Sequence, residues 1–253
     1  MAPADLALGA LRWLEYVGLL AFVGVVVLRL LAANPPAIPW ARPRMQLALA
    51  AAVAGGLGTL FEQWLVSRSL PAAVLVRVLA EVAALVLCMT IGRGAVPAGF
   101  VAAFALAFGG HATAVVPPAP AILIDAVHIV SAGMWAGGIL VLPVLHPPGG
   151  WRSDEARSLL QRYGRVAVVA FALTALTGVI RATDELRGVA DLWTTAYGLV
   201  LTAKSVGVGA MLVMSAIAWR RGIPLARAEA AIAVAVMGAT GLLAAFPMPP
   251  AGA

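Results

Sequence analysis

Apolar segments of about 20 residues follow one another along almost the whole chain, and no other feature constrains its fold more. An α-helix of about this length crosses the roughly 30 Å of hydrocarbon in a bilayer. Hydrocarbon offers the backbone no hydrogen-bond partners, so such segments must be helical. The composition agrees, because 62% of the residues are hydrophobic and 11% are charged. The sequence therefore predicts an all-α, polytopic membrane protein built as a bundle of transmembrane helices.

Eight spans are predicted, and short segments rich in proline, glycine and arginine separate them. The predicted spans are 11–33, 45–66, 72–92, 95–116, 121–145, 159–182, 193–219 and 227–247. The first is interpreted as a retained span rather than a signal peptide, because no strongly basic region precedes it. No connecting segment is long enough to fold alone, so residues 1–253 are expected to form a single integral membrane domain.

The distribution of arginine predicts how the chain is oriented in the membrane. With the N-terminus outside, the inner connecting segments contain Arg42, Arg44, Arg93, Arg152, Arg157, Arg220, Arg221 and Arg227. The outer segments then hold little beyond Arg68 and Arg187. Because positive charge accumulates on the inner side, both termini are expected outside. The net charge of +6 thus indicates topology rather than a surface for nucleic acid.

Two histidines and an aspartate lie inside the fourth and fifth predicted spans. Asp125 and His128 are three residues apart and so share one face of a helix, and Trp135 continues that stripe. A tight proline-rich turn makes these spans antiparallel neighbours, so His111 is expected to face His128 on the outer side of the membrane. Ionisable groups held in a membrane are functional candidates by default. Imidazole and carboxylate ligands suit copper, zinc or iron, so His111, Asp125 and His128 are a candidate metal site.

The same three polar residues allow other interpretations. Asp125 could orient the histidine as a hydrogen-bond acceptor instead of binding the metal. The three groups could also simply bond to one another and to the backbone near the membrane interface. Trp135 alone is typical of packing, and Gly137 and Gly138 favour a close approach of two helices.

Further charged and sulfur-containing residues lie deeper in the predicted spans. Arg77 and Glu81, four residues apart, are expected to neutralise each other. Lys204 lies near the middle of the seventh span, with Glu81 as its expected partner, either in a fixed ion pair or in a charged pathway. Cys88 and Met89 offer soft ligands for Cu(I) near the inner end of the third span, although methionine also fills cores. Because Cys88 is the single cysteine, a disulfide within the chain is excluded.

Motifs of several enzyme classes do not occur in the sequence. It contains no Walker A motif, no Cys-x-x-Cys, no His-Glu-x-x-His and no nucleophile with an evident base. The chain is therefore predicted to be neither an enzyme nor an ATP-driven pump.

Several short segments carry a family resemblance. They are Gly110-His111-Ala112, Asp125-x-x-His128, Trp135-Ala136-Gly137-Gly138, Tyr163-Gly164-Arg165-Val166-Ala167, Leu176-Thr177-Gly178, the stretch from Leu192 to Lys204, and Arg227-x-Glu229. Together they resemble the copper resistance protein D family of bacterial inner-membrane proteins. The likeness covers residues 105–247 and is most specific between Thr195 and Lys204, whereas residues 1–104 match mainly in hydropathy.

This resemblance implies eight membrane helices, a multi-pass location in the bacterial inner membrane with periplasmic termini, and transport of copper from periplasm to cytoplasm. Carried over by position, it makes His111, Asp125 and His128 the site that captures copper, with Trp135 beneath them. Members often work beside a small periplasmic copper-binding protein C, which the resemblance adds as an expected partner besides copper and membrane lipid.

Two other functions remain open from the residues. A b-type haem protein would use His111 and His128 as axial ligands on neighbouring helices. A copper-delivery assembly factor would need the outer site but no inner pathway. The sequence alone does not choose between Cu(I) and Cu(II).

Overall fold

The computed structural model describes residues 3–92, 94–109, 117–186, 188–221 and 224–245, in which helices alternate with short connecting segments. The α-helices are α1 (Pro3–Ala33), α2 (Met45–Ser67), α3 (Ala72–Thr90), α4 (Ala95–Ala105), α5 (Pro118–Ala132), α6 (Gly138–Val141), α7 (Asp154–Glu185), α8 (Asp191–Thr194), α9 (Ala196–Arg221) and α10 (Ala226–Ala245). These ranges contain short 3₁₀ and π turns but no strand. The predicted all-α class is confirmed.

Seven helical stretches within the described ranges are long and apolar enough to cross a membrane, so the chain is a multi-pass membrane protein. They are Leu6–Ala33, Met45–Ser67, Ala72–Thr90, Pro118–Val144, Asp154–Thr183, Ala196–Arg221 and Ala226–Ala244. The fourth predicted span corresponds to a shorter apolar helix, Ala95–Phe108, and residues 110–116 of that span lie outside the described part. The count of eight spans and the outer location of both termini therefore stay predictions.

Helix α1 lies at the centre of the bundle. It packs against α2, α10 and the stretch that contains α5 and α6. Its side chains Leu19, Phe22, Val23 and Leu28 are fully buried. Lipid tails are as apolar as these side chains, so close packing rather than escape from water must hold the helices together.

Glycines allow α1 to touch two of its neighbours through the backbone. A Cβ atom on Gly137 would lie 1.9 Å from the backbone oxygen of Leu20, and one on Gly24 would lie 2.2 Å from the carbonyl carbon of Gly137. On the other side of α1, a Cβ atom on Gly55 would lie 2.4 Å from the backbone nitrogen of Glu15. Small residues at such crossings permit this close approach, as the sequence predicts for Gly137.

A π turn at Gly133–Gly137 joins α5 to α6 within a single spanning stretch. A change of helical hydrogen bonding leaves backbone groups in need of other partners. The hydroxyl of Tyr163 on α7 donates to the backbone oxygen of Trp135. The Tyr163 ring approaches closely because Gly138 has no side chain, since a Cβ atom there would lie 2.4 Å from the ring. The turn is thereby fixed against α7.

The beginning of α7 is tied to the end of α1. The Ser153 hydroxyl caps α7 by accepting a hydrogen bond from the backbone three residues on. The Arg162 guanidinium donates to the backbone oxygens of Leu31, Asn34 and Pro36 at 2.9, 2.7 and 3.0 Å. These bonds satisfy carbonyl groups at and beyond the end of α1, where the helix itself provides no donors. The central helix and α7 are therefore held in fixed relation.

Candidate metal site between α5 and α7

Helices α5 and α7 run antiparallel and meet through side-chain contacts that recur about once per turn. The pairs are Asp125 with Arg181, His128 with Thr177, Ser131 with Thr174, and Trp135 with Phe171. Their spacing of three or four residues puts all the α5 members on one face. The stripe of Asp125, His128 and Trp135 that the sequence predicts is the face that contacts α7.

Asp125 forms an ion pair with Arg181. The Nε atom of Arg181 lies 2.7 Å from Oδ1 of Asp125, and the two side chains are 12% and 19% exposed, respectively. A cation that binds Asp125 must therefore compete with this guanidinium. No local pattern in the sequence indicates this pair, because its partners come from different helices.

His128 is held by a hydroxyl group on α7. Its Nδ1 atom lies 3.0 Å from Oγ1 of Thr177, and that hydroxyl lies 2.7 Å from the backbone oxygen of Leu173. A threonine hydroxyl has one proton. Because Thr177 donates it to Leu173, Thr177 accepts the hydrogen bond from Nδ1–H. The neutral imidazole then carries its lone pair on Nε2, the atom that a metal ion would bind.

Small and polar residues of α7 complete the surroundings of His128. A Cβ atom on Gly178 would lie 3.4 Å from Cε1 of His128, an ordinary van der Waals distance, so Gly178 lies directly beside the ring. One turn further along α5, the Ser131 hydroxyl donates to the backbone oxygen of His128 at 3.1 Å and accepts from Thr174 at 2.8 Å. Thr177 and Gly178 of the Leu176-Thr177-Gly178 segment thus contact the histidine directly.

Trp135 lies at the end of this site further along the chain from Asp125. Its indole ring is 4% exposed and packs edge-on against Phe171, with the ring centroids 4.8 Å apart and the planes at 72°. The aromatic pair places an apolar layer beneath the polar contacts of His128. The packing interpretation of Trp135 and its predicted place below the metal site are both compatible with this contact.

His111, the third predicted ligand, lies outside the described residues. Within the described ranges, no group of three or more His, Cys, Asp or Glu side chains is arranged to hold a metal ion. The structure therefore brings Asp125 and His128 together on one face, and the three-residue ligand set stays a prediction.

Glu81 lies in a cluster of charged side chains, and its expected pairing with Lys204 stays a prediction. The Nε atom of Arg77 lies 2.5 Å from Oε1 of Glu15 and 4.0 Å from Oε1 of Glu81. Glu15 of α1 is therefore the closer partner of Arg77. Lys204 on α9 lies within electrostatic range of His128. The expected contact of Arg77 with Glu81 is present, and Glu15 of α1 joins it to form a cluster of three residues.

Cys88 and Met89 do not share an environment. The Met89 side chain is 70% exposed, whereas Cys88 lines an open cavity of about 550 Å³ together with Arg29, Arg42 and Arg44. Three guanidinium groups disfavour a metal cation in that cavity. The idea that these two residues provide an inner copper site stays a prediction without a supporting contact.

Comparisons with known proteins bear on the C-terminal part of the chain. Residues 157–246, which include most of α7 and all of α9, match the family described as copper resistance protein D. The chain is also similar to the copper transport protein CutJ of Bacillus subtilis (strain 168), with 34% identity over 157 residues. That alignment covers 58% of this chain and 29% of the length of the relative. No solved structure gives a significant match.

The region that matches the family contributes the α7 side of the site described above. It contains Thr177 and Arg181, which contact His128 and Asp125, and also Lys204. The motifs recognised in the sequence and the family match agree with each other. Residues 157–246 of this multi-pass membrane protein thus match the copper resistance protein D family.

Proposed function

We propose that this chain moves copper ions across the bacterial inner membrane, from periplasm to cytoplasm, and captures them at an outer site that contains His128. The family match and the name of the relative, a copper transport protein, support a role in copper movement. The chain spans 29% of that relative's length, so the proposal concerns the membrane region alone.

The hydrogen bond between His128 and Thr177 is the observation that carries the proposal. It fixes the imidazole in the tautomer whose Nε2 atom can bind a metal, within a segment long enough to span the membrane. Imidazole nitrogen is a suitable ligand for copper. A histidine with this support is ready to bind the ion without first changing its tautomer.

Asp125 and His111 are the proposed additional ligands. Asp125 lies one turn from His128 and is paired with Arg181. When copper binds, it displaces the guanidinium from the carboxylate, and the positive charge of Arg181 then opposes the ion and favours its release. His111 precedes the proline-rich turn that leads into α5, which makes the same end of the bundle its expected location. Arg181 would then act as a counter-ion that holds Asp125 between successive copper ions.

The membrane potential is the proposed driving force. A cation that moves inward gains about 2.3 kcal/mol per charge for each 100 mV of potential. This is sufficient for passive import and needs no nucleotide hydrolysis, in line with the proposal that the chain is not an enzyme. A periplasmic copper-binding protein C is the proposed donor of the ion.

Copper uptake into liposomes tests the proposal. The purified chain is reconstituted with a copper-sensitive dye inside the vesicles, and a negative internal potential is imposed. We expect rapid uptake by the wild type and no protein-dependent uptake by His128→Ala. The matched control is His146→Ala, because His146 is exposed beyond the other end of the same spanning stretch. Equal uptake by the His128→Ala variant and the wild type would contradict the proposed site.

A further inference from the structure

A second cluster of ionisable side chains lies inside the bundle, where α1 meets α3. Glu15 and Glu81 are 0% exposed, and Arg77 is 5% exposed. The Nε atom of Arg77 lies 2.5 Å from Oε1 of Glu15 and 4.0 Å from Oε1 of Glu81. The guanidinium also donates to Oε2 of Glu15 at 3.2 Å. Two carboxylates thus converge on one guanidinium.

Helix α2 covers this cluster with its backbone. A Cβ atom on Gly56 would lie 2.2 Å from Oε2 of Glu81, and one on Gly55 would lie 2.4 Å from the backbone nitrogen of Glu15. Thr59, one turn further along α2, is 0% exposed. The cluster is therefore enclosed by three helices and is separated from bulk solvent.

The hydrogen bonds of Glu81 are incomplete. Both of its carboxylate oxygens are buried and have no hydrogen-bond partner among the residues that the structure describes, and the same holds for the Thr59 hydroxyl. An ionised carboxylate in such surroundings costs several kcal/mol. A protonated carboxyl group can instead donate one hydrogen bond and accept others. The unpartnered oxygens thus favour a proton on one of the two acids.

The balance of charge leads to the same conclusion. With both carboxylates ionised, the three side chains have one positive and two negative charges. Arg12, one turn before Glu15, donates to the backbone oxygen of Ala244 on α10, and its positive charge favours the ionised form of Glu15 rather than that of Glu81. Tyr16, the adjacent residue of α1, is neutral under ordinary conditions. Two carboxylates that share one enclosed site do not both ionise readily.

We propose that Glu15 and Glu81 form a buried proton-binding site in which the two carboxylates share one proton beside Arg77. This site is separate from the α5–α7 site and does not depend on copper binding. Because interacting acids titrate together, the proton belongs to the pair rather than to either residue. Because α2 encloses the pair, the proton exchanges with water only when α1, α2 and α3 move apart.

Infrared spectroscopy of the purified full chain tests this proposal through the carbonyl stretch of a protonated carboxylic acid. The chain contains a further buried acid, Glu229, which is 2% exposed and accepts a hydrogen bond from Ser215 at 2.8 Å. A Glu229→Gln variant therefore serves as the background, since it removes that acid and keeps the pair. We expect this variant to show one protonated acid at neutral pH, with a band that shifts slowly after transfer to D₂O.

Adding either Glu15→Gln or Glu81→Gln to that background should remove the whole band. In each case one carboxylate remains beside Arg77, and the positive charge of the guanidinium then stabilises its ionised form. Absence of the band from the spectrum of the Glu229→Gln variant would overturn the proposal. This result tests the proposal even if the double variants do not fold. Loss of the band in only one double variant, or its survival in both, would also overturn it. The infrared results do not depend on whether the chain takes up copper, so a failure of the uptake proposal would not decide this one.

Discussion

Substitution of Gly137 by alanine should separate the central helix from the π turn. The added Cβ atom would lie 1.9 Å from the backbone oxygen of Leu20 and 2.7 Å from its carbonyl carbon. Real Cβ contacts essentially never fall below 3.0 Å, so α1 must move by about 1 Å. Both atoms belong to a helix backbone and cannot rotate aside. Overpacking of this kind costs about 1–3 kcal/mol, and a contact between two backbones belongs at the upper end.

The assay is the thermal stability of the detergent-purified variant beside a matched glycine substitution. Gly209→Ala is the control, because a Cβ atom at Gly209 on α9 would meet nothing within 4 Å. We expect the control to be as stable as the wild type or slightly more stable, since alanine is a better helix former than glycine. We also expect Gly137→Ala to lose copper uptake, because the displaced stretch carries His128. Equal stability of the two variants would refute the close backbone contact.

Two further predictions concern the α5–α7 contacts. Thr177→Val keeps the shape of the side chain but removes the acceptor for His128, so copper affinity measured by chelator competition should fall by about 10–100-fold. Thr183→Val, on the same helix but with an exposed hydroxyl that donates to the backbone oxygen of Ile180, should leave that affinity unchanged, and equal effects of the two variants would contradict the tautomer assigned to His128. Arg181→Gln deprives Asp125 of its partner and should lower the free energy of unfolding by roughly 1–3 kcal/mol, between the values for exposed and buried pairs. The same variant should bind copper more tightly while Arg181→Lys does not, and weaker binding in Arg181→Gln would contradict competition at Asp125.

The helices and the polar face of α5 follow from local patterns in the sequence. Hydropathy alone indicates the long spans, and the spacing of Asp125, His128 and Trp135 predicts that they share a face. The family motifs also gain a physical explanation, because Thr177 and Tyr163 contact the same spanning stretch as those residues. These features were predictable because each depends on residues less than two turns apart or on motifs already recognised.

The partners of the buried charges were not predictable in this way. Arg181 and Glu15 meet residues of other helices, and nothing in their own segments indicates which helix lies beside them. The central place of α1 was missed for a related reason. Lipid-facing and protein-facing residues are both apolar, so hydropathy does not distinguish a central helix from a peripheral one. Gly24, Gly133 and Gly137 mark the crossing, and they become informative once the two segments are known to meet.

The most direct test of the account is a metal and visible-absorption analysis of the purified protein, with His128→Ala and His146→Ala as paired variants. We predict stoichiometric copper without a Soret band in the wild type and in His146→Ala, and loss of that copper in His128→Ala. A Soret band that disappears in His128→Ala would identify a haem ligand and contradict copper capture at this histidine, as would copper content that His128→Ala leaves unchanged.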